Sequence, residues 1–295
     1  MEKLNLDISG SIRRLDWIAK NLVSTRLLGN YRSIFKGHGL EFDGYRDYTS
    51  NDDSSKIDWK SSKKANKLLI KEFKEERNLN LFFLVDASST MVCSSTKKLK
   101  NEYAAEFVAA LAYIMYGQGD RVGIALFNDV IIKSLLPGRE NYQFYALMEI
   151  LSNPLFYGGD YDLANALRYT LNVIDEHSVV LVVSDFIGLR EGWEKALQIA
   201  AVKFDVIGVM IRDPSDMELP EDTHQVMLGD TISGDQLLVI PDKLRERYRE
   251  YTRNQVKLIK STFLRCNCDF LELITNKPFM DELIGFFKRR EKRVV

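Results

Sequence analysis

From residue 79 onward the chain alternates short apolar runs with longer segments whose apolar residues recur every three or four positions. The runs are LNLFFLVD (79–86), RVGIALF (121–127), VIIKSLL (130–136), SVVLVVSD (178–185), FDVIGVMI (204–211) and CDFLELI (268–274). Most are rich in Val, Ile, Leu and Phe with little polar alternation, the pattern of strands covered on both faces. Helices are predicted over 97–117, 140–152, 161–176, 190–202, 241–264 and 278–290. In the first of these, Ala104, Phe107, Val108, Leu111, Ile114 and Met115 share one face at a 3.6-residue period. Gly117 follows where a left-handed cap is expected. Strands alternating with helices imply right-handed crossovers, hence a doubly wound α/β fold with a mainly parallel sheet between helices. Only Asn128-Asp129 separates RVGIALF from VIIKSLL, so a hairpin there predicts one antiparallel edge strand.

Residues 1–78 have a different texture: mixed charges, several aromatics and few clean periods. They read as an N-terminal extension packed on the α/β domain of residues 79–295, with a helix near 10–26 and strands near 41–49 and 68–77. Trp59, Phe42 and Phe73 are expected as its core, and Asp58 with Arg46 as an ion pair. No Pro/Gly/Ser-rich linker or internal repeat interrupts the chain.

Composition adds exclusions. The 41 basic and 42 acidic side chains leave a formal net charge of −1, which gives no support to nucleic-acid binding through overall charge. Cys93, Cys266 and Cys268 are too few for a disulfide framework, and three scattered histidines lack metal-ligand spacing. The N-terminal stretch carries acidic residues and no continuous apolar core, unlike a signal peptide. The most apolar runs fall far short of the ~20 residues a membrane helix needs. A soluble, cytoplasmic chain with reduced cysteines is expected.

Candidate chemistry sits where strands end, because loops at the carboxyl ends of a doubly wound sheet converge on a ligand crevice. One loop is Asp86-Ala87-Ser88-Ser89-Thr90, a second runs from Gly158 through Gly159, Asp160 and Tyr161 to Asp162, and a third is Ser184-Asp185. Asp86, Ser88 and Thr90 offer an oxygen at every second residue, which suits a hard divalent cation. Helix capping or turn chemistry explains that loop equally well when it is taken alone. The third loop favours the cation, because a second apolar strand also ends on a carboxylate.

These residues resemble the von Willebrand factor A domain, whose adhesion site combines D-x-S-x-S/T with a Thr from a second loop and an Asp from a third. Tyr161 stands where that Thr is expected, with Asp160 just before it as a substitute ligand. The resemblance extends to the bacterial domain-of-unknown-function family 58 through Gly37, Gly39, Glu41, Phe42, Arg46, Tyr48, Asp52, Asp53, Ile57, Asp58, Trp59, Phe73, Glu76 and Arg77. RDPSDMELP (212–220) and the ending PFMDELIGFFKRR are also similar. Asn51 departs from the family's usual Gly-Asp-Asp.

The resemblance implies a von Willebrand factor A-like fold and Mg²⁺ (or Mn²⁺) held by Asp86, Ser88, Thr90 and Asp185, with Asp160 as a further ligand. It also implies a partner, since this family is commonly encoded beside MoxR-type AAA+ ATPases, with which it is thought to act in assembly or maturation of other proteins. An acidic side chain of a client would complete the metal shell. The reading is therefore a non-enzymatic binding module; no nucleophile elbow, P-loop or H-E-x-x-H is present. Competing readings are a hydrolase using the same cation and a structural domain with an empty site.

Overall fold

The structure, a computed structural model, describes residues 41–49, 52–54, 57–74, 79–140, 142–221, 224–229 and 234–294. The helix expected near 10–26 lies outside these. Two compact units divide the chain, residues 35–78 and the part from Leu79 onward.

In the smaller unit, β1 (Glu41–Asp47) pairs antiparallel with β2 (Leu69–Lys74), and α1 (Trp59–Ala65) lies between them in sequence. The segment WKSSKKA has no apolar period, so its helix depends on its ends. Asp58 accepts from the Ser61 N–H as N-cap, and Asn66 closes the C-terminus in the left-handed region. Ser62 Oγ then accepts from Leu69 N–H at 2.8 Å, tying helix to strand. Trp59 is not a core residue: it is 68% exposed, and Ile57, Leu69 and Ile70 are buried instead. The side chains of Phe42 and Phe73 lie outside the described set. Arg46 forks onto Asp52 at 2.6 Å to both oxygens, whereas Asp58 is committed to the cap and to the Tyr45 hydroxyl at 3.2 Å.

The larger unit is built on a six-stranded sheet in the order β10-β7-β6-β3-β4-β5. Its strands are β3 (Asn80–Asp86), β4 (Arg121–Phe127), β5 (Ile131–Gly138), β6 (Val179–Ser184), β7 (Asp205–Arg212) and β10 (Asp269–Ile274). All neighbours are parallel except β5, which turns back on β4 as the Asn128-Asp129 hairpin predicts. The helices are α2 (Lys100–Gly117), α3 (Gln143–Ser152), α4 (Leu163–Val173), α5 (Trp193–Lys203), α6 (Pro241–Arg265) and α7 (Phe279–Val294). A doubly wound, mainly parallel α/β fold results.

Period-two alternation sends Phe82, Leu84, Val180, Val182, Val206 and Met210 to one core, shared with α4, α5 and α6. The opposite face is covered by α2, whose Tyr103 and Phe107 meet Phe279 of α7 edge-on at 5.7 and 5.5 Å. Far from burying a single stripe, α2 is buried nearly all round, including Ala105, Ala109, Ala110 and Ala112. Small alanines let it lie close to its neighbours on several sides. Gly117 ends the helix, but the left-handed residue is Gly119, two positions later. A short hairpin, β8 (Val226–Gly229) with β9 (Gln236–Val239), is an element the apolar pattern does not predict. No described helix is long and apolar enough to cross a membrane.

Candidate functional site

Parallel register builds the site. β3 lies between β4 and β6, with Val85 opposite Val183, so Asp86 and Ser184 end adjacent strands side by side. Ser184 Oγ donates to Asp86 Oδ2 at 2.7 Å and stands 3.1 Å from the Tyr161 phenol oxygen. Asp86 Oδ1 accepts from Ser88 N–H at 2.8 Å. That last bond is the turn chemistry expected of an Asp here. Ser88 precedes a 3₁₀ turn over Ser89–Val92, yet its side chain makes no cap hydrogen bond. Instead its hydroxyl faces Thr90 Oγ1 at 3.0 Å, so two hydroxyls stand together beside a carboxylate. The first loop thus serves both as a turn and as an oxygen cluster.

The second loop is clamped to the first. Gly158 N–H donates to Ala87 O at 2.7 Å, and Ser89 N–H donates to Gly159 O at 3.0 Å. Both glycines have positive φ, and a Cβ on Gly159 would lie 2.5 Å from Asn128 Nδ2; only glycine fits there. Tyr161 does not stand in for a threonine at the loop surface. It is fully buried, with its ring 5.7 Å from that of Phe127. Burial and the Asp86 charge hold its phenol well above the ordinary range. Asp160 Oδ1 accepts from the Tyr161 N–H, and its Oδ2 is paired with Arg190.

Asp185 follows Ser184 and turns toward α2. There Lys100 Nζ, 1% exposed, donates to Asp185 Oδ2 at 2.7 Å and to Asp216 Oδ2 at 2.9 Å. Burial alone lowers the proton affinity of a lysine, but the two carboxylates more than reverse this, and its pKa is raised. Asp185 Oδ1 accepts from Ile187 N–H at 2.9 Å. Between them Phe186 adopts a left-handed φ of 54°, a costly conformation for an aromatic residue that turns the chain at the site. Asp86 responds to its surroundings: burial, then the charge of Asp185, push its carboxyl up to about 7.

A second polar cluster supports the rim. Asp213 accepts from Ser94 Oγ at 2.8 Å, from the Ser95 hydroxyl, from Ser215 N–H at 2.9 Å and from Thr275 Oγ1 at 3.1 Å. Burial opposes its charge, but these donors prevail and hold it well below the usual carboxylate range. Asp213 therefore fastens the loop after Thr90 to the ends of β7 and β10. Just beyond Thr90, Cys93 is exposed; of the other free thiols, Cys266 is half-buried and Cys268 buried, the latter pushed up to about 12 by burial.

Asp86, Ser88, Thr90 and Asp185 thus lie together at the carboxyl end of the sheet, whereas the Asp160 carboxylate is taken by Arg190. Ser184, named with Asp185 as the third loop, completes the site together with Lys100, Asp213 and Asp216, which the sequence did not single out as site residues. Among the described residues no group of three or more His, Cys, Asp or Glu is placed to hold a metal. Any cation here relies on two carboxylates with hydroxyls, a donor set suited to Mg²⁺ rather than to a soft metal.

Fold and site together define an α/β domain with a carboxylate–hydroxyl cluster at the carboxyl edge of its sheet. Residues 44–257 match the family described as "Protein of unknown function DUF58". The chain belongs to that family. It is similar to uncharacterized proteins of Mycobacterium tuberculosis and Mycobacterium bovis, each 24% identical over 97% of this chain and 90% of the relative. Among solved structures, an aerotolerance-related membrane protein from Bacteroides fragilis aligns with 73% of this chain and 99% of its own at TM-score 0.50 and 12% identity. A von Willebrand factor type A protein from Catenulispora acidiphila aligns with 61% of this chain and 43% of its own, at TM-score 0.35 and 14% identity.

Proposed function

We propose that this chain is a non-enzymatic protein-binding module whose contact point is the Asp86–Ser88–Thr90–Asp185 cluster, with Mg²⁺ (or Mn²⁺) held there. The observation that carries the reading is the meeting of two buried carboxylates and two facing hydroxyls at one sheet edge. Burial, then the charge of Asp185, raises the Asp86 pKa, and a divalent ion relieves both the desolvation and the repulsion. Asp160 shares its carboxylate with Arg190 as Asp185 does with Lys100, so each of these pairs would open for its carboxylate to reach the ion. When bound, the ion would leave room for an acidic side chain of a partner. Both oxygens of Asp86 and both of Asp185 already accept hydrogen bonds, which argues against either as the general base a hydrolase would need. The partner class follows from the family resemblance: a MoxR-type AAA+ ATPase, acting with this chain on a client protein.

Lys100 supports a second reading, in which its ammonium is the only cation the site requires. Calorimetric titration of the full chain with Mg²⁺ and Mn²⁺ separates the two. The metal reading expects saturable heat that Asp86→Ala removes and Lys100→Met strengthens. No heat up to millimolar metal in either the parent or Lys100→Met leaves Lys100 as the sole cation. Capture of the purified ATPase, with and without chelator and with Asp185→Ala, tests the partner. Indifference to all three would remove the site from the interface.

A further inference from the structure

A second feature lies at the same carboxyl end of the sheet, toward the β10 side. Arg212 ends β7 and is 4% exposed, yet its Nε and Nη2 are fully buried without a hydrogen-bond partner. Buried guanidinium groups are normally paired, because an uncompensated buried charge is costly. The acidic neighbours are taken: Asp216 by Lys100 at 2.9 Å, and Asp213 by its four hydroxyl donors and a backbone N–H. No carboxylate among the described residues pairs with Arg212.

Arg212 lines a cleft of about 410 Å³ at the β10 edge, within the size range of small-ligand sites. On the α6 side its walls are Met210, Met217, Val256 and Phe270, with Lys260 at the rim. Lys260 is already paired with Glu272 at 2.6 Å, which leaves the guanidinium as the unpaired cation of that wall. Lys277, Glu282 and Arg289 line the α7 end, where charges of both signs are present.

We propose that this cleft binds a carboxylate carried on an apolar body, the carboxylate held by the Arg212 guanidinium and the body lying against Met217, Val256 and Phe270. A guanidinium gives a carboxylate charge-assisted hydrogen bonds, stronger than those it gives a neutral acceptor. A phosphate would bring nearly two charges and need more donors than one guanidinium offers, with Glu272 also lining the cleft. Apolar walls select against small hydrated anions for the same reason that they select for the body. None of Asp86, Ser88, Thr90 or Asp185 lines this cleft, so the two sites share the carboxyl end of the sheet but no lining residue.

Titration of the full chain with sodium octanoate tests it, with octanamide and inorganic phosphate as controls. Octanoate is expected to bind with a Kd at or below about 1 mM, and octanamide about tenfold or more weakly. Phosphate should give no heat. Arg212→Met is expected to lose octanoate by the same factor while melting no lower than the parent, since it removes an unpaired buried charge. Val256→Trp, which keeps Arg212 and fills the cleft, should also lose octanoate; it decides the matter if Arg212→Met does not fold. Equal binding of acid and amide, preference for phosphate, binding untouched by both variants, or no binding by the parent would each overturn the proposal.

Discussion

Asp86 spends its two oxygens on Ser88 N–H and Ser184 Oγ, yet burial and Asp185 still lift its carboxyl from 3.8 to about 7. The linkage has a definite sign. Between those two values the unfolded chain has released this proton and the folded chain retains it, so folding stability falls as pH rises through that window. Urea unfolding of the metal-free chain at intervals from pH 4 to 7 should show this slope, and Asp86→Asn should flatten it. Saturating Mg²⁺ should flatten it too, on the proposed reading. The residues of this cluster were unequally legible in sequence. Asp86 and Asp185 stand out because each closes an apolar run. Lys100 does not, sitting in KKLK among other lysines, and Ser184 gains its role only once β6 is known to lie beside β3.

At the scale of elements, the central strands were readable because both faces of each are covered, which writes a continuous apolar run into the sequence. Short or polar elements left no such mark: α1 is fixed by Asp58 and Asn66 rather than by a buried stripe, and β8 and β9 are four residues each with Met227, Leu237 and Leu238 exposed. Packing between elements is equally invisible locally. Gly208 lies mid-strand in β7, where a Cβ would fall 2.7 Å from the Phe263 ring and 2.8 Å from that of Phe270. Those rings also meet Phe186, at 5.5 and 6.0 Å. Gly208→Ala is expected to cost about 1–3 kcal/mol in urea unfolding, as overpacking of a filled core does. Read from sequence alone, this glycine weakens a strand; in the fold it admits α6 to the sheet.

For the larger unit as a whole, chemistry and support are divided between the two ends of the sheet. The carboxyl end carries the oxygen cluster, the Lys100 bridge and Arg212. At the amino end, buried Asp120 accepts from the Leu79 N–H at 3.0 Å, where the chain enters β3. Asp120→Ala leaves that amide unpaired and should lower stability by about 1–3 kcal/mol. Mg²⁺ titration of the same variant should match the parent, because the change is a strand's length away from the site. The strand order that creates this division depends on crossovers between distant segments, so the sequence pattern predicted the sheet but not which carboxylate would meet which lysine.

Cys93 gives this arrangement a practical use. It is the exposed thiol of the three, it lies three residues after Thr90, and its Sγ is 3.8 Å from Ser89 O. A maleimide dye should therefore label it ahead of buried Cys268. The emission of that dye would then follow changes in the loop directly, without any need to identify what binds there first.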